Sequence, residues 1–124
     1  MYTKNLKLIP GLLAIVIGVS SCSSDDDGSD GNWVEKSIFD GTARSSAVSF
    51  TIGDKGYVGT GYNGDDYLKD FWVYDINGNF WTQVADFPGI ERSAAAAFTN
   101  NNIGYVGTGF DGDDELADFY SYNP

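Results

Sequence analysis

Downstream of residue 45, short apolar stretches alternate along the chain with clusters of Gly, Asp and Asn. Apolar and β-branched stretches bounded by such clusters are typical of β-strands joined by turns. They predict seven strands, at Ser46–Ile52, Gly56–Thr60, Phe71–Asp75, Trp81–Ala85, Ala94–Thr99, Gly104–Thr108 and Phe119–Tyr122. Between the third and fourth strands, Asn77-Gly78 predicts a two-residue type I′ hairpin, because that turn needs positive φ at both central residues.

This pattern occurs twice. The stretch from Gly56 to Gly61 returns unchanged from Gly104 to Gly109, and the offset of 48 positions holds without a gap from Trp33/Trp81 to Tyr74/Tyr122. Among known repeat arrays, a period of roughly 50 residues belongs to propeller blades. Residues 93–97, which are rich in alanine, would favour a helix on propensity alone. Their repeat partners, residues 45–49, would not, so a strand is predicted in both places.

Several of the repeated residues resemble the Kelch family. They are an arginine before the first strand of each unit, a glycine-rich end of the second strand, an Asp-Phe pair that opens the third strand, and a Trp after a turn: Arg44 and Arg92, Gly59 to Gly61, Asp70-Phe71 and Asp118-Phe119, and Trp81. Kelch repeats usually carry two adjacent glycines where this chain has Gly-Thr-Gly, the form seen in many bacterial lipoproteins of this type.

The resemblance covers Trp33 to Pro124 and implies an all-β fold of four-stranded, antiparallel Kelch-type propeller blades. The chain has material for about two blades, which make an incomplete propeller. Residues 32–43 would be a lead-in strand equivalent to the fourth strand of a blade. Residues 44–91 form the first repeat, and residues 92–124 form a second repeat that lacks its last strand.

The N-terminal segment predicts a lipoprotein signal peptide over residues 1–21. Lys4 and Lys7 precede an apolar run from Leu8 to Val19, followed by small residues and Cys22, the only cysteine of the chain. The run has the usual length of a secretory apolar region. The arrangement resembles a bacterial lipobox, which implies cleavage before Cys22 and its modification by diacylglycerol and a fatty acyl group such as palmitate. An ordinary signal peptide with an incidental cysteine is the alternative.

Residues 22–31 predict an acidic, flexible tether, because residues 23–31 contain no apolar side chain that could pack. The acidic run after the cysteine resembles the export signal of Bacteroidetes-type lipoproteins and implies a lipid anchor on the outer membrane, at the cell surface. A solvated spacer without a sorting role is the alternative.

Composition excludes several classes of function. The chain has a formal net charge of −11, and all 18 acidic residues lie after the predicted cleavage point. Nucleic acid is therefore not a predicted partner, since phosphate binding needs clustered Lys and Arg. Histidine is absent and the single cysteine is assigned to the lipid. Ser-His or Cys-His nucleophilic catalysis is therefore excluded, and copper, zinc or iron sites built on imidazole or thiolate are not predicted.

The loop between the second and third strands of each unit carries candidate binding residues. Asp111, Asp113 and Asp118 could gather a calcium ion through carboxylate oxygens. The alternative is a solvated turn in which Asp70 and Asp118 cap the loop by hydrogen bonds with the backbone.

Aromatic residues lie beside these acids. Tyr62, Tyr67 and Phe110 suit stacking on sugar rings, with carboxylates accepting hydrogen bonds from sugar hydroxyls. Alternatively, these aromatics fold back onto their own blade. Arg44 and Arg92 either face a ligand in a central cleft or pair with a carboxylate or carbonyl of the adjacent blade.

Together these features predict a non-catalytic binding module, anchored by lipid, for a glycan or protein ligand. One alternative is a carbohydrate-handling enzyme similar to the sialic-acid mutarotases, which would need a carboxylate paired with Arg44 or Arg92 in the cleft. Another is a truncated remnant of a longer six-bladed protein. The strand edges at Trp33–Lys36 and Phe119–Tyr122 also predict pairing with another copy, three of which would close a six-bladed ring.

Overall fold

A computed structural model describes residues 31–124 of the chain. The predicted signal peptide, Cys22 and nearly all of the acidic tether lie outside the described residues. Val34 to Pro124 form one compact unit. No helix within residues 31–124 has the length and apolar character needed to cross a membrane.

The described chain is all-β, as predicted. It has seven strands: β1 (Val48–Ile52), β2 (Lys55–Gly59), β3 (Phe71–Asp75), β4 (Phe80–Val84), β5 (Ala96–Asn100), β6 (Ile103–Gly107) and β7 (Phe119–Tyr122). Sheet 1 has the order β1-β2-β3-β4 and sheet 2 the order β5-β6-β7, and all neighbours are antiparallel. The bounds of β3 and β7 match the prediction, and the other strands begin and end within two residues of it.

The repeat extends to the backbone conformation. Positive φ angles recur at the 48-residue offset in Ser46 and Ala94 (51° and 52°) and in Thr60 and Thr108 (54° and 61°), and also in two pairs of glycines. Such angles are set by local geometry, so the two units share one backbone path as well as one sequence pattern.

The type I′ prediction for Asn77-Gly78 is wrong. Asp75 pairs with Phe80, which leaves a four-residue loop in which only Asn79 has positive φ, at 56°. The Gly78 amide donates to the Asp75 carboxylate at 2.7 Å, and the Asn79 amide donates to the Asp75 carbonyl at 2.8 Å. Four-residue hairpin loops of this kind are built around tight turns that need no left-handed pair at their centre.

A turn with positive φ at both central residues occurs elsewhere. Between β5 and β6, Asn101 and Asn102 have φ of 49° and 60°, which the two-residue type I′ connection requires. Asparagine tolerates this conformation because its short side chain can bond to the local backbone.

The core lies between the two sheets. One side of sheet 1 carries Val48, Phe50, Tyr57 and Phe71, all at least nine-tenths buried, and is called the Phe50 face. It is covered by a side of sheet 2 called the Val106 face, which consists of Ala97, Gly104, Val106 and Tyr122.

Aromatic packing and one glycine fix the separation of these two faces. The Tyr122 ring lies 5.5 Å from that of Tyr57 and 6.4 Å from that of Phe50. A Cβ at Gly104 would overlap the Phe50 ring, so only glycine fits there. The contact between sheets is therefore a specific fit between Phe50 and the backbone of β6.

Residues 32–43, predicted as a lead-in strand, form no strand within the described chain. Instead, the Ser37 amide donates to Asn79 at 3.0 Å, and the Phe39 ring lies 4.8 Å from that of Trp81 and 5.7 Å from that of Trp72. Phe87, the repeat partner of Phe39, packs in the same way on Tyr120 at 5.1 Å. The segment around Phe39 therefore has the same packing as the segment around Phe87 and belongs to the repeat. Pairing of Trp33–Lys36 with another copy stays a prediction.

Candidate functional site

The candidate site is formed by two equivalent loops, residues 60–70 between β2 and β3 and residues 108–118 between β6 and β7. Both start with a threonine in the left-handed region, Thr60 and Thr108. Positive φ is rare for a β-branched residue, because its Cβ substituents crowd the backbone. The sequence analysis did not predict this backbone strain. Its signal in the sequence is the threonine that stands between two glycines, at a place where two adjacent glycines are usual.

Buried arginines hold these strained starts. Arg44 donates two hydrogen bonds to Asp70, at 2.7 and 2.8 Å, and a third to the carbonyl of Thr60 at 3.1 Å. Arg92 binds Asp118 at 2.5 and 2.8 Å and the carbonyl of Thr108 at 2.9 Å. Each guanidinium thus ties the first residue of its loop to the last.

The guanidinium group of each arginine is buried and lies against the ring of a phenylalanine. Their side chains are 4% and 0% exposed, and the guanidinium carbons of Arg44 and Arg92 lie 5.2 and 4.6 Å from the ring centres of Phe39 and Phe87. The predicted pairing with a carboxylate and a carbonyl occurs, but the partners belong to the same sheet and not to the adjacent one. The prediction that these arginines contact a ligand gains no support from their burial.

Both carboxylates stay ionised. The hydrogen bond from Arg44 lowers the pKa of Asp70 more than burial raises it, and the Trp72 indole adds a hydrogen bond at 2.6 Å. The hydrogen bond from Arg92 lowers the pKa of Asp118 in the same way. These Arg-carboxylate pairs match what the mutarotase-like alternative requires in composition. Arg44 lines an open groove with Phe39 and Trp81, but its side chain is only 4% exposed, and the side chain of Arg92 is fully buried.

Side chains at the loop tips cap the turns. The side-chain oxygen Oδ1 of Asn63 accepts hydrogen bonds from the backbone amides of Asp65 and Asp66, at 2.8 and 2.7 Å. Its repeat partner Asp111 accepts the equivalent bonds from Asp113 and Asp114, at 2.9 and 2.8 Å. The amides of Asp114 and then Asp113 lower the pKa of Asp111. The solvated-turn prediction named the wrong caps, because the carboxylates of Asp70 and Asp118 are engaged by arginine.

This geometry gives the calcium prediction no support. Asp111 is committed to its turn and Asp118 to Arg92, while Asp113 is exposed. Within residues 31–124, no three or more Asp, Glu, His or Cys side chains converge in a way that could hold a metal ion.

The three predicted aromatic residues come together in one group, the loop aromatic cluster, formed by Tyr62, Tyr67 and Phe110. The Tyr67 ring lies 4.9 Å from the Tyr62 ring and 6.0 Å, edge to face, from the Phe110 ring. Tyr67 also covers Gly112, where a Cβ would come within 2.7 Å of the ring. These aromatics therefore join the two loops, and all three remain partly exposed.

The two loops that form the loop aromatic cluster also carry exposed carboxylates. The exposed acids of the two loops are Asp65, Asp66, Asp113, Asp114 and Glu115. Glu115 takes the repeat position of Tyr67, as the equivalent bridges Tyr62–Tyr67 and Phe110–Glu115 show. At these two pairs of equivalent positions, the first repeat supplies two aromatic residues and the second repeat supplies one aromatic residue and one acid.

Comparisons with known proteins add no assignment to this geometry. No protein-family model matches the sequence, and no curated protein matches it. The function has to be argued from the residues of the chain itself.

Proposed function

We propose that the chain is a non-catalytic binding module, anchored by lipid at the bacterial cell surface, whose loop aromatic cluster binds a neutral glycan. The observation that carries this proposal is the convergence of Tyr62, Tyr67 and Phe110 from two different loops, which also carry exposed carboxylates. A cluster of partly exposed aromatic rings beside hydrogen-bond acceptors suits the apolar faces and hydroxyl groups of a sugar.

Charge selects among glycans. Five exposed carboxylates lie on the two loops, while the arginines beneath them are buried and paired. Lys69 is the exposed cation of these loops and lies 3.8 Å from Glu91, so sialylated or sulfated sugars would meet mainly like charge, which costs binding free energy. The ligand is therefore a glycan without acidic groups.

The proposal includes Kelch-type propeller blades as the scaffold. It is supported by two antiparallel sheets with strands in sequence order, by the same pairing register in both, and by the recurrence of positive φ at the 48-residue offset. Loops that connect the second and third strands lie at one end of both sheets, which is where the aromatic cluster forms.

The anchor is proposed from the sequence alone. Acylation of Cys22 would place the module on a short acidic tether at the membrane. Intact mass measurement of the mature protein should find an acylated Cys22 at its N-terminus, and Cys22→Ser should accumulate as a precursor without lipid. An unmodified N-terminus at another residue would contradict this part of the proposal.

Residues 31–124 can be tested directly for glycan binding, first on an array of neutral and acidic oligosaccharides and then by titration calorimetry. Tyr67→Ala should weaken binding of a neutral glycan about tenfold or more, as loss of stacking and contact area worth about 1.4 kcal/mol implies. Tyr67→Phe, which keeps the ring, should retain most of the affinity.

Two outcomes would overturn the glycan assignment. One is the absence of neutral glycans from the array hits, and the other is equal affinity of Tyr67→Ala and the natural chain when near-ultraviolet circular dichroism shows both to be folded. Binding to a protein instead, through the same cluster, would keep the module and change its ligand class.

A further inference from the structure

Two equivalent faces of the sheets differ sharply in exposure. Phe50 and Phe71 on the Phe50 face are 7% and 6% exposed, because sheet 2 covers them. Their repeat partners Phe98 and Phe119 on sheet 2 are 51% and 50% exposed. With Tyr105, which stacks on Phe98 at 5.0 Å as Tyr57 stacks on Phe50, they form the Phe98 face. This face has the same three aromatic side chains as the Phe50 face, with Ala96 in the place of Val48, and no part of residues 31–124 covers it.

The opposite side of sheet 1 has the shape of the missing cover. It carries Gly56, Val58 and Tyr74, the repeat partners of Gly104, Val106 and Tyr122, and is called the Val58 face. A Cβ at Gly104 would overlap the Phe50 ring, whereas a Cβ at Gly56 would have no atom within 4 Å. The space that receives a phenylalanine ring at Gly104 is thus unfilled at Gly56.

An open groove adjoins the Val58 face. It has a volume of about 530 Å³ and includes Ala47, Val58, Phe39 and Trp81 in its lining. On sheet 2, the equivalent surface around Val106 is in contact with Phe50 and Tyr57. The internal contact between sheets therefore identifies what fits this groove, namely a face with the residues of the Phe50 face.

We propose that this chain self-associates head to tail, with the Phe98 face of one copy packed on the Val58 face of a second copy. The contact brings together the repeat partners of the residues that meet between sheet 1 and sheet 2 inside each chain, with Ala96 in the place of Val48 and Ser49 in the place of Ala97. Because the two surfaces differ, the interface is heterologous and closes a ring when the rotation per copy divides the circle. This proposal does not depend on glycan binding.

A strand completes the interface. Sheet 2 has three described strands, so the outer edge of β7 is unpaired, whereas β3 in sheet 1 pairs with β4. Residues 33–36, which correspond to residues 81–84 of β4, include Trp33 and Val34 at 99% and 63% exposure. Shifting the β3–β4 register by the repeat offset pairs Phe119 with Lys36 and Tyr122 with Trp33 of the second copy.

Charge gives the association a characteristic salt dependence. The chain is strongly acidic, at −11 overall, so copies repel one another at low ionic strength. Screening within about 10 Å at 0.1 M salt reduces this repulsion, and an apolar contact is not weakened by salt. Association should therefore increase with sodium chloride, unlike association that depends on ion pairs.

The test is the solution mass of residues 31–124, measured by light scattering after size exclusion from micromolar to millimolar concentration, at low and high salt. The expected result is a discrete oligomer, three copies for a six-sheeted ring, that is more stable at high salt. A monomer throughout would overturn the proposal, and is the result expected if further repeats of a longer chain cover these faces.

Variants separate this interface from non-specific aggregation. Phe98→Asp and Gly56→Val should both yield monomers that keep the far-ultraviolet circular dichroism of the natural chain, because Phe98 is half exposed and a Cβ at Gly56 meets no atom within 4 Å in the single chain. Ile76→Asp is the matched control: Ile76 is also 51% exposed but lies in the β3–β4 loop, outside both faces. Deletion of residues 31–36 should weaken association by removing the added strand. An oligomer that survives both Phe98→Asp and Gly56→Val, or is lost in Ile76→Asp, would refute the head-to-tail arrangement.

Discussion

Replacing Phe50 or Phe98 with alanine makes the same chemical change in two positions with different surroundings. Phe50 is 7% exposed and lies 5.0 Å from Tyr57 and 6.0 Å from Phe71, between their rings and the backbone of Gly104. Loss of a buried phenylalanine removes its transfer free energy and leaves a cavity, which together cost about 3–5 kcal/mol. We expect Phe50→Ala to lower the free energy of unfolding by that amount.

Phe98→Ala should cost much less. Phe98 is 51% exposed, so about half of its transfer free energy, roughly 1 kcal/mol, is at stake, and solvent can fill the space it leaves. For a domain of this size, 1 kcal/mol corresponds to a Tm change of about 4–8 °C, so the two variants should melt well apart.

Urea titration followed by circular dichroism measures both free energies of unfolding. The protein concentration has to be low enough for the chain to be monomeric, so that association does not contribute to the stability of Phe98. Similar losses in the two variants would refute the reasoning, because they would mean that Phe50 and Phe98 have equivalent neighbours and that sheet 2 does not cover the Phe50 face.

Three further changes test other parts of the structure. Thr108→Gly should raise the free energy of unfolding by about 1 kcal/mol in a denaturant titration, since Thr108 is exposed and its φ of 61° strains a β-branched residue but not glycine; a loss of stability would contradict this assignment. Acid should destabilise the protein, because the hydrogen bond from Arg44 lowers the pKa of Asp70 in the folded state. The contribution of ionised Asp70 to the free energy of unfolding is complete above the unfolded pKa of about 3.9, and it is lost as the pH falls through the lower pKa of the folded state. Asp70→Asn should be less stable near neutral pH and should show a flatter pH dependence in thermal melts, and an unchanged profile would speak against the Arg44 pair. Asn79→Ala should cost about 1–2 kcal/mol, because it removes an acceptor for Ser37 and Tyr74 and puts alanine at positive φ; hydrogen exchange at the Ser37 amide should then accelerate, and no change there would argue against this contact.

The strands could be predicted from the sequence because their signals are local. Apolar stretches of about five residues between Gly, Asp and Asn clusters located β3 and β7 to the residue. The turn between β3 and β4 was predicted wrongly, because a side chain determines its geometry. The Asp75 carboxylate accepts a hydrogen bond from the Gly78 amide, and the loop has four residues where Asn77-Gly78 alone predicted two.

Neighbours across the fold could not be predicted from the repeat. Phe50 and Phe98 occupy the same position in the two repeats, yet their exposure differs because only Phe50 has a sheet packed over it. The aromatic residues of the site were identified from their place beside acids, but the contact of Tyr67 with Phe110 depends on how one loop meets the next. The carboxylate partners of the arginines lie 26 residues away, a separation at which no periodic pattern indicates contact.

For the proposed glycan binding, the presence of Glu115 at the repeat position of Tyr67 determines how many sugar sites each chain has. Two repeats could have carried two equal aromatic sites, but within residues 31–124 they form one cluster, spread over both loops. A sugar that stacks on it binds at a stoichiometry of one per chain. With the lipid anchor proposed above, tight adhesion to a polymer with many such sugars would come from several copies acting together, and their combined avidity would depend on the reach of their tethers and on their density in the membrane.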